Sequence, residues 1–198
     1  MCQAAQYAIA PITRLSGANR APVRGRTVTS REQEEYSALR STIRERGTAR
    51  PWLALVGLAA WAGLVAANTA LSSPPVASIV PLVVLATAFE CVFALHIGVE
   101  RIGRYLQVFH EDQWEQTAMA FGRPAGAVRL DALFSVPFAL AALINMMPAL
   151  IQAPTTEELV FVGGAHALFV VRIVAARMAA RKQREIELRR FQELREKR

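Results

Sequence analysis

Four stretches of the chain, at about 51–71, 76–99, 130–152 and 159–178, are apolar almost without interruption by charge. Each holds roughly twenty residues, the length at which an α-helix crosses a hydrocarbon core of about 30 Å. The pattern predicts an all-α polytopic membrane protein: four transmembrane helices with cytoplasmic helical extensions. Residues 1–50 form a cytoplasmic arm followed by an amphipathic helix, 51–178 the four-helix transmembrane domain, and 179–198 a charged cytoplasmic helical tail.

Local signals refine these boundaries. Pro11, Gly17, Pro22 and Gly25 interrupt any periodicity in the first 27 residues. From Ser30 the character changes, because Ser30 and Gln33 have the spacing of a capping box. A helix is predicted over Arg31–Arg46, with Tyr36, Leu39 and Ile43 on one stripe and Gly47 as its end. Pro51 suits the first position of a new helix, where its missing amide costs nothing. The short link Ser72-Ser73-Pro74-Pro75 forces the second span back antiparallel beside the first. Pro81 is expected to bend that second span, which meets no strong breaker between Glu90 and Trp114. The charge-free body of the third span contains Pro137, Asn145, Met146, Met147 and Pro148, and Pro148, followed by Pro154, suggests an irregular exit. The last span continues in helical pattern to the end of the chain, where Ile186, Leu188, Phe191 and Leu194 make no clean heptads.

Average composition hides this segregation, since 53% hydrophobic residues and a mean hydropathy of +0.25 also fit a soluble protein. The distribution of the +7 charge is more informative. Residues 1–50 carry nine arginines against four acids, and residues 177–198 nine Lys/Arg against four acids, while neither predicted outer link contains a basic residue. This is the positive-inside pattern of a multi-pass protein of a bacterial-type inner (plasma) membrane with both termini in the cytoplasm. The first apolar run starts too far along and lasts too long for a cleaved signal peptide. Arg44, Arg46, Arg50, Arg177, Arg181 and Lys182 are expected at anionic headgroups. Lipids are therefore expected partners, and nucleic acid is not, because no continuous basic groove with aromatic platforms accompanies the charge. Cys2 and Cys91 lie in settings too different to imply a disulfide.

Ionisable residues inside the spans supply the candidate chemistry. Glu90 lies fourteen residues past Val76 and Arg172 thirteen past Leu159, on spans that run the same way. At 1.5 Å per residue they share a depth, and an unpaired charge there costs at least about 2.5 kcal/mol. They are candidates for an intramembrane ion pair, with His166 as a third polar position. A haem between His166 and His96 is disfavoured by an axial offset of roughly 20 Å. His96 and Glu100 share a helix face, and His110 and Glu111 follow at the cytoplasmic interface. These four residues have no spacing that assembles a metal site, and no metal or other cofactor is expected. Phosphate-binding loops, nucleophile elbows and zinc motifs are absent from the sequence.

The resulting expectation is a non-catalytic scaffold or regulatory subunit of an inner-membrane assembly, associating with other membrane subunits or with copies of itself. A soluble protein partner would bind its cytoplasmic face. The alternatives are a small oligomeric ion or proton channel or transporter using Glu90, and an interfacial membrane enzyme with a site near His96 and Glu100.

Overall fold

The computed structural model describes residues 29–110, Thr117 and residues 131–197, the side chains of residues 131–134 excepted. Among them the architecture is all-α. Helix α1 spans Ser30–Ala70, a 3-10 turn spans Pro75–Ser78, α2 spans Ile79–Phe109, α3 spans Asp131–Ile151 and α4 spans Thr156–Glu196. Three helical segments, Ser30–Ala70, Pro75–Phe109 and Thr156–Glu196, are long and apolar enough to cross a membrane. In α3 the residues whose side chains are described form a shorter apolar stretch, Ser135–Ile151. A fourth helix of full membrane length is thus not found among the described residues, and the two prolines within α3, Pro137 and Pro148, leave it helical to Ile151.

The first helix differs from expectation in three places. Its cap is Thr29, whose hydroxyl accepts from the Glu32 amide while the Glu32 carboxylate accepts from the Thr29 amide. This reciprocal box lies one residue before the predicted one and uses Glu rather than Gln. Gly47 does not end the helix, and Pro51 lies inside it rather than at a start. Packing against α2 on both sides of the proline overrides these weak breakers: before it Tyr105 donates from its hydroxyl to Glu35 at 2.6 Å and Arg50 meets His96 at 2.8 Å, and after it Gly57 lies directly against Ala88. The amphipathic stretch and the first span are consequently one rod of 41 residues, about 60 Å long and twice the thickness of the hydrocarbon core.

Both ends of the α1–α2 hairpin are locally determined. Ser72, at φ 48°, closes α1 in a Schellman motif, with the Ser73 amide bonded to the Asn68 carbonyl at 3.0 Å and the Ser72 amide to Thr69 at 3.2 Å. Pro81 then falls in the first turn of α2, where no helical carbonyl awaits its missing amide, so it starts the helix instead of bending it. Helix α4 opens on a second capping box, Thr155 with Glu158.

Helix α2 contacts all three other helices and supplies the centre of the core. Leu82, Leu85, Phe89 and Val92 meet Phe138, Ala141 and Ala142 of α3 and Phe169, Ile173 and Ala176 of α4. Phe89 packs edge-on against Phe138 and Phe169, with ring centroids at 5.5 and 5.9 Å. Helix α1 buries none of its residues fully and lies on the outside of this core. Large apolar side chains such as Leu55, Val83, Leu143, Phe161 and Val171 point away from the protein. In water so much exposed apolar surface would drive aggregation, whereas lipid tails solvate it.

Where α1 crosses α2, a Cβ built on Gly57 would overlap the Ala88 methyl group, while one on Gly63 meets nothing. Close approach of the two backbones needs the hydrogen at Gly57. Gly57→Leu is therefore expected to lower stability by about 1–3 kcal/mol, as overpacking does, and Gly63→Leu to leave it nearly unchanged. Thermal midpoints of the two variants in one mild detergent check this.

Candidate functional site

Polar side chains collect at three levels of the helical bundle. At the end beside the two turns, here called the outer end, Asn145 of α3 is 1% exposed and joins all four segments. It accepts from the Trp61 indole of α1 at 3.2 Å and donates to the Ser78 carbonyl at the start of α2 at 2.9 Å. Its amide nitrogen also meets His166 Nε2 of α4 at 2.9 Å, and His166 Nδ1 meets the Val162 carbonyl at 2.8 Å. Chemistry fixes every role in this network. An indole can only donate, and the two carbonyls can only accept. The His166 proton therefore sits on Nδ1, and Nε2 of the neutral ring accepts from Asn145. A cavity of about 20 Å³, lined among others by Asn68, Ser73, Ser78, Asn145 and Gln152, lies between this cluster and the outer turns. It has room for about one water molecule.

The middle level holds Glu90 and Arg172. The Arg172 guanidinium donates to Glu90 at 2.7 Å and lies 5.7 Å from the centre of the Phe93 ring. Twelve residues separate Ser78 from Glu90 and six separate Glu90 from His96, or about 18 and 9 Å along the helix. The pair therefore lies well inside the apolar zone and nearer its inner edge. Both side chains remain open to the outside of the bundle, at 45% exposure for Glu90 and 44% for Arg172.

The inner level is a lattice of carboxylates and guanidinium groups between α2 and α4. Arg104, 1% exposed, donates to Glu187 at 2.6 and 3.2 Å and to Glu100 at 3.3 Å. Arg101 donates to Glu187 at 2.9 Å, Gln183 adds another hydrogen bond at 2.7 Å, and Arg184 grips Glu100 through two nitrogens. His96 Nε2 stands 3.6 Å from Glu100, while its Nδ1 faces Arg50. Burial raises the Glu187 pKa, but the hydrogen bonds from Arg104, Gln183 and Arg101 and the Arg104 charge outweigh it, holding the carboxyl below the ordinary glutamate value.

The candidate positions are thus distributed over the whole bundle. Glu90 and Arg172 touch each other, whereas His166 joins Asn145 at the outer end. His96 and Glu100 are brought together, but guanidinium groups already engage both. His110 lies beyond the inner lattice, against the rings of Tyr36 and Tyr105 at 5.6 and 6.1 Å. Glu111 lies outside the described residues. Of the expected headgroup contacts, Arg44, Arg46, Arg181 and Lys182 are exposed and Arg177 half-buried, while Arg50 turns inward onto His96. Among the described residues no group of three or more His, Cys, Asp or Glu could hold a metal ion.

The residues that sequence reasoning passed over are Trp61, Arg104, Arg184 and Glu187, together with the central role of Asn145. For the charged ones a signal existed. Glu90 pairs with a residue 82 positions on, Arg104 with one 83 on and Glu100 with one 84 on, so a single register between α2 and α4 generates all three. Comparisons with family models, curated proteins and solved structures gave no match.

Two predictions follow from these networks. Asn145→Leu strands an indole N–H, a carbonyl and an imidazole nitrogen at once. At about 1–3 kcal/mol for each buried unpaired group, partly relieved by local repacking, it should lower unfolding stability by roughly 2–4 kcal/mol. Leu143→Ala on the outer face of the same helix should do far less, and thermal denaturation of both variants makes the comparison. For Glu187 the depressed pKa means that its stabilising contribution is complete above the unfolded glutamate pKa of about 4.3 and lost as pH falls through the folded value. Glu187→Gln should therefore reduce stability at neutral pH and flatten the drop seen on acidification below about pH 5, measured as the thermal midpoint against pH.

Proposed function

We propose that the chain crosses a bacterial-type inner membrane four times, with α3 as the short third span and both termini in the cytoplasm. In this reading it forms an oligomeric ion or proton path in which Glu90 is the exchanging group. The half-open Glu90–Arg172 pair carries the proposal. A charge well inside the apolar zone is stable only if paired or reached by water, and this pair faces outward, where a neighbouring subunit or a water-filled seam would meet it.

Among the described residues the interior of one copy is packed at mid-height. Phe89, Phe138 and Phe169 fill the space between the outer Asn145 cluster and the inner lattice. A path must then run along the outer face of α2 and α4, between copies. Glu90 suits such a path because its carboxylate can take a proton and release Arg172, whose guanidinium stays charged throughout. By contrast, the proposed enzymatic site near His96 and Glu100 is occupied by Arg50, Arg104 and Arg184, which favours a structural role there.

A second reading, the scaffold or regulatory subunit, draws support from the cytoplasmic stalk. Helices α1, α2 and α4 continue past His96, and Tyr36, Tyr105, Phe109, His110 and Phe191 pack together there. The stalk gives a soluble partner a rigid platform of three helices.

Reconstitution separates the two. In liposomes enclosing a pH-sensitive dye, with a potassium gradient and valinomycin to set the voltage, the path reading predicts proton flux that Glu90→Gln reduces by at least about tenfold. Repeating the assay with enclosed cation-sensitive dyes tests Na⁺ and K⁺. No flux of any of these ions above empty vesicles, or flux unchanged by Glu90→Gln, would overturn the path reading.

A further inference from the structure

We infer that the outer face shared by α2 and α4 is the interface of a two-fold symmetric dimer, in which Glu90 of each copy also meets Arg172 of the other. The inference rests on the reading that copies associate around Glu90, and it names the face and the symmetry.

The face has the make-up of a helix contact in lipid. On α2 the outward positions Val80, Val83, Thr87 and Ala94 recur at helical spacing, with Glu90 on their α4 side. On α4 the outward positions Leu168, Arg172, Ala175 and Ala179 do the same. Toward the inner half the side chains are small, which lets backbones approach. The Thr87 hydroxyl is already turned back onto the Val83 carbonyl at 2.9 Å, so it presents its methyl group outward.

Small residues alone would not identify the occupant. The charges do. A lipid tail offers nothing to a half-exposed carboxylate and guanidinium, and an unrelated helix would need opposite charges at the same depth. A second copy carries them by construction, because rotation about an axis along the bilayer normal leaves every residue at its own depth. Glu90 and Arg172 lie side by side at one level on that face, so the rotation sets each against its opposite. The two intrachain pairs then close into a ring of four alternating charges. The same rotation keeps both basic cytoplasmic ends on one side, as the charge distribution requires.

The test uses residues 1–198 with Cys2→Ser and Cys91→Ser, reconstituted in vesicles of phosphatidylethanolamine and phosphatidylglycerol. Because the rotation sets α2 of one copy against α4 of the other, chains carrying Thr87→Cys are mixed with chains carrying Leu168→Cys, and Ala94→Cys with Ala175→Cys; Leu143→Cys on α3 is the control, and disulfide dimers are measured after mild oxidation. Cross-linking of the two mixed pairs should exceed that at Leu143→Cys by about tenfold. Adding Glu90→Arg to both chains of the Ala94→Cys and Ala175→Cys mixture, or Arg172→Glu to both, places like charges across the axis and should abolish cross-linking. Placing Glu90→Arg on the Ala94→Cys chain and Arg172→Glu on the Ala175→Cys chain should restore it as a heterodimer, since both cross-pairs are then of opposite sign.

Equal cross-linking of the two mixed pairs and the Leu143→Cys control, or none in either mixed pair, would overturn the interface. So would a mixture that stays monomeric while each charge variant keeps a cooperative thermal transition, which separates failure to associate from failure to fold. Loss of ion flux with cross-linking intact would refute the path and leave the dimer standing. Flux without cross-linking on this face would do the reverse.

Discussion

Every polar group carried into the hydrocarbon must find a partner within the protein, and this constraint organises the molecule more than its apolar packing does. In lipid, apolar surfaces gain little by meeting each other, so position and angle are left to groups that have no solvent to fall back on. The chain answers with three polar levels. Asn145 ties all four segments at the outer end, Glu90 and Arg172 join α2 to α4 in the middle, and the Glu100–Arg104–Arg184–Glu187 lattice joins them again at the inner edge. Two levels are closed upon themselves. The middle one is half open, with Glu90 and Arg172 each nearly half exposed on the outside of the bundle.

The levels reinforce one another through geometry. Helices α2 and α4 run parallel with an offset of 82 to 84 residues from Glu90 inward. A slip of α4 by one residue would move each guanidinium about 1.5 Å and turn it roughly 100° away from its carboxylate. All the pairs would fail together, so the register is much better defined than any one salt bridge would make it. Rigid coupling of this kind extends the order of the membrane segment into the stalk, where Phe191 packs against Tyr105 and Phe109.

How much of this was legible in the sequence depended on whether the signal was additive along a straight helix. Depth is additive, which is why counting from the span ends put Glu90 and Arg172 at one level. The same count carried twelve residues further reaches Arg184 and Glu187 opposite Glu100 and Arg104. Asn145 was opaque because an amide announces neither charge nor direction, and its role appears only when Trp61, Ser78 and His166 converge on it. Gly47, Pro51 and Pro81 misled for a different reason: their propensities are local, whereas neighbouring α2 holds α1 straight and the start of α2 absorbs Pro81.

Glu90 and Arg172 act as one unit inside the bilayer only if each charge depends on the other. A double-mutant cycle of Glu90→Gln, Arg172→Gln and their combination, read as unfolding free energy in bicelles, tests this directly. Each single change should strand the opposite charge and destabilise the protein, and the double change should recover much of the loss, giving a coupling above about 1 kcal/mol. Additive effects, with the double variant as unstable as the sum of the two singles, would show that the charges are solvated separately and would contradict the account.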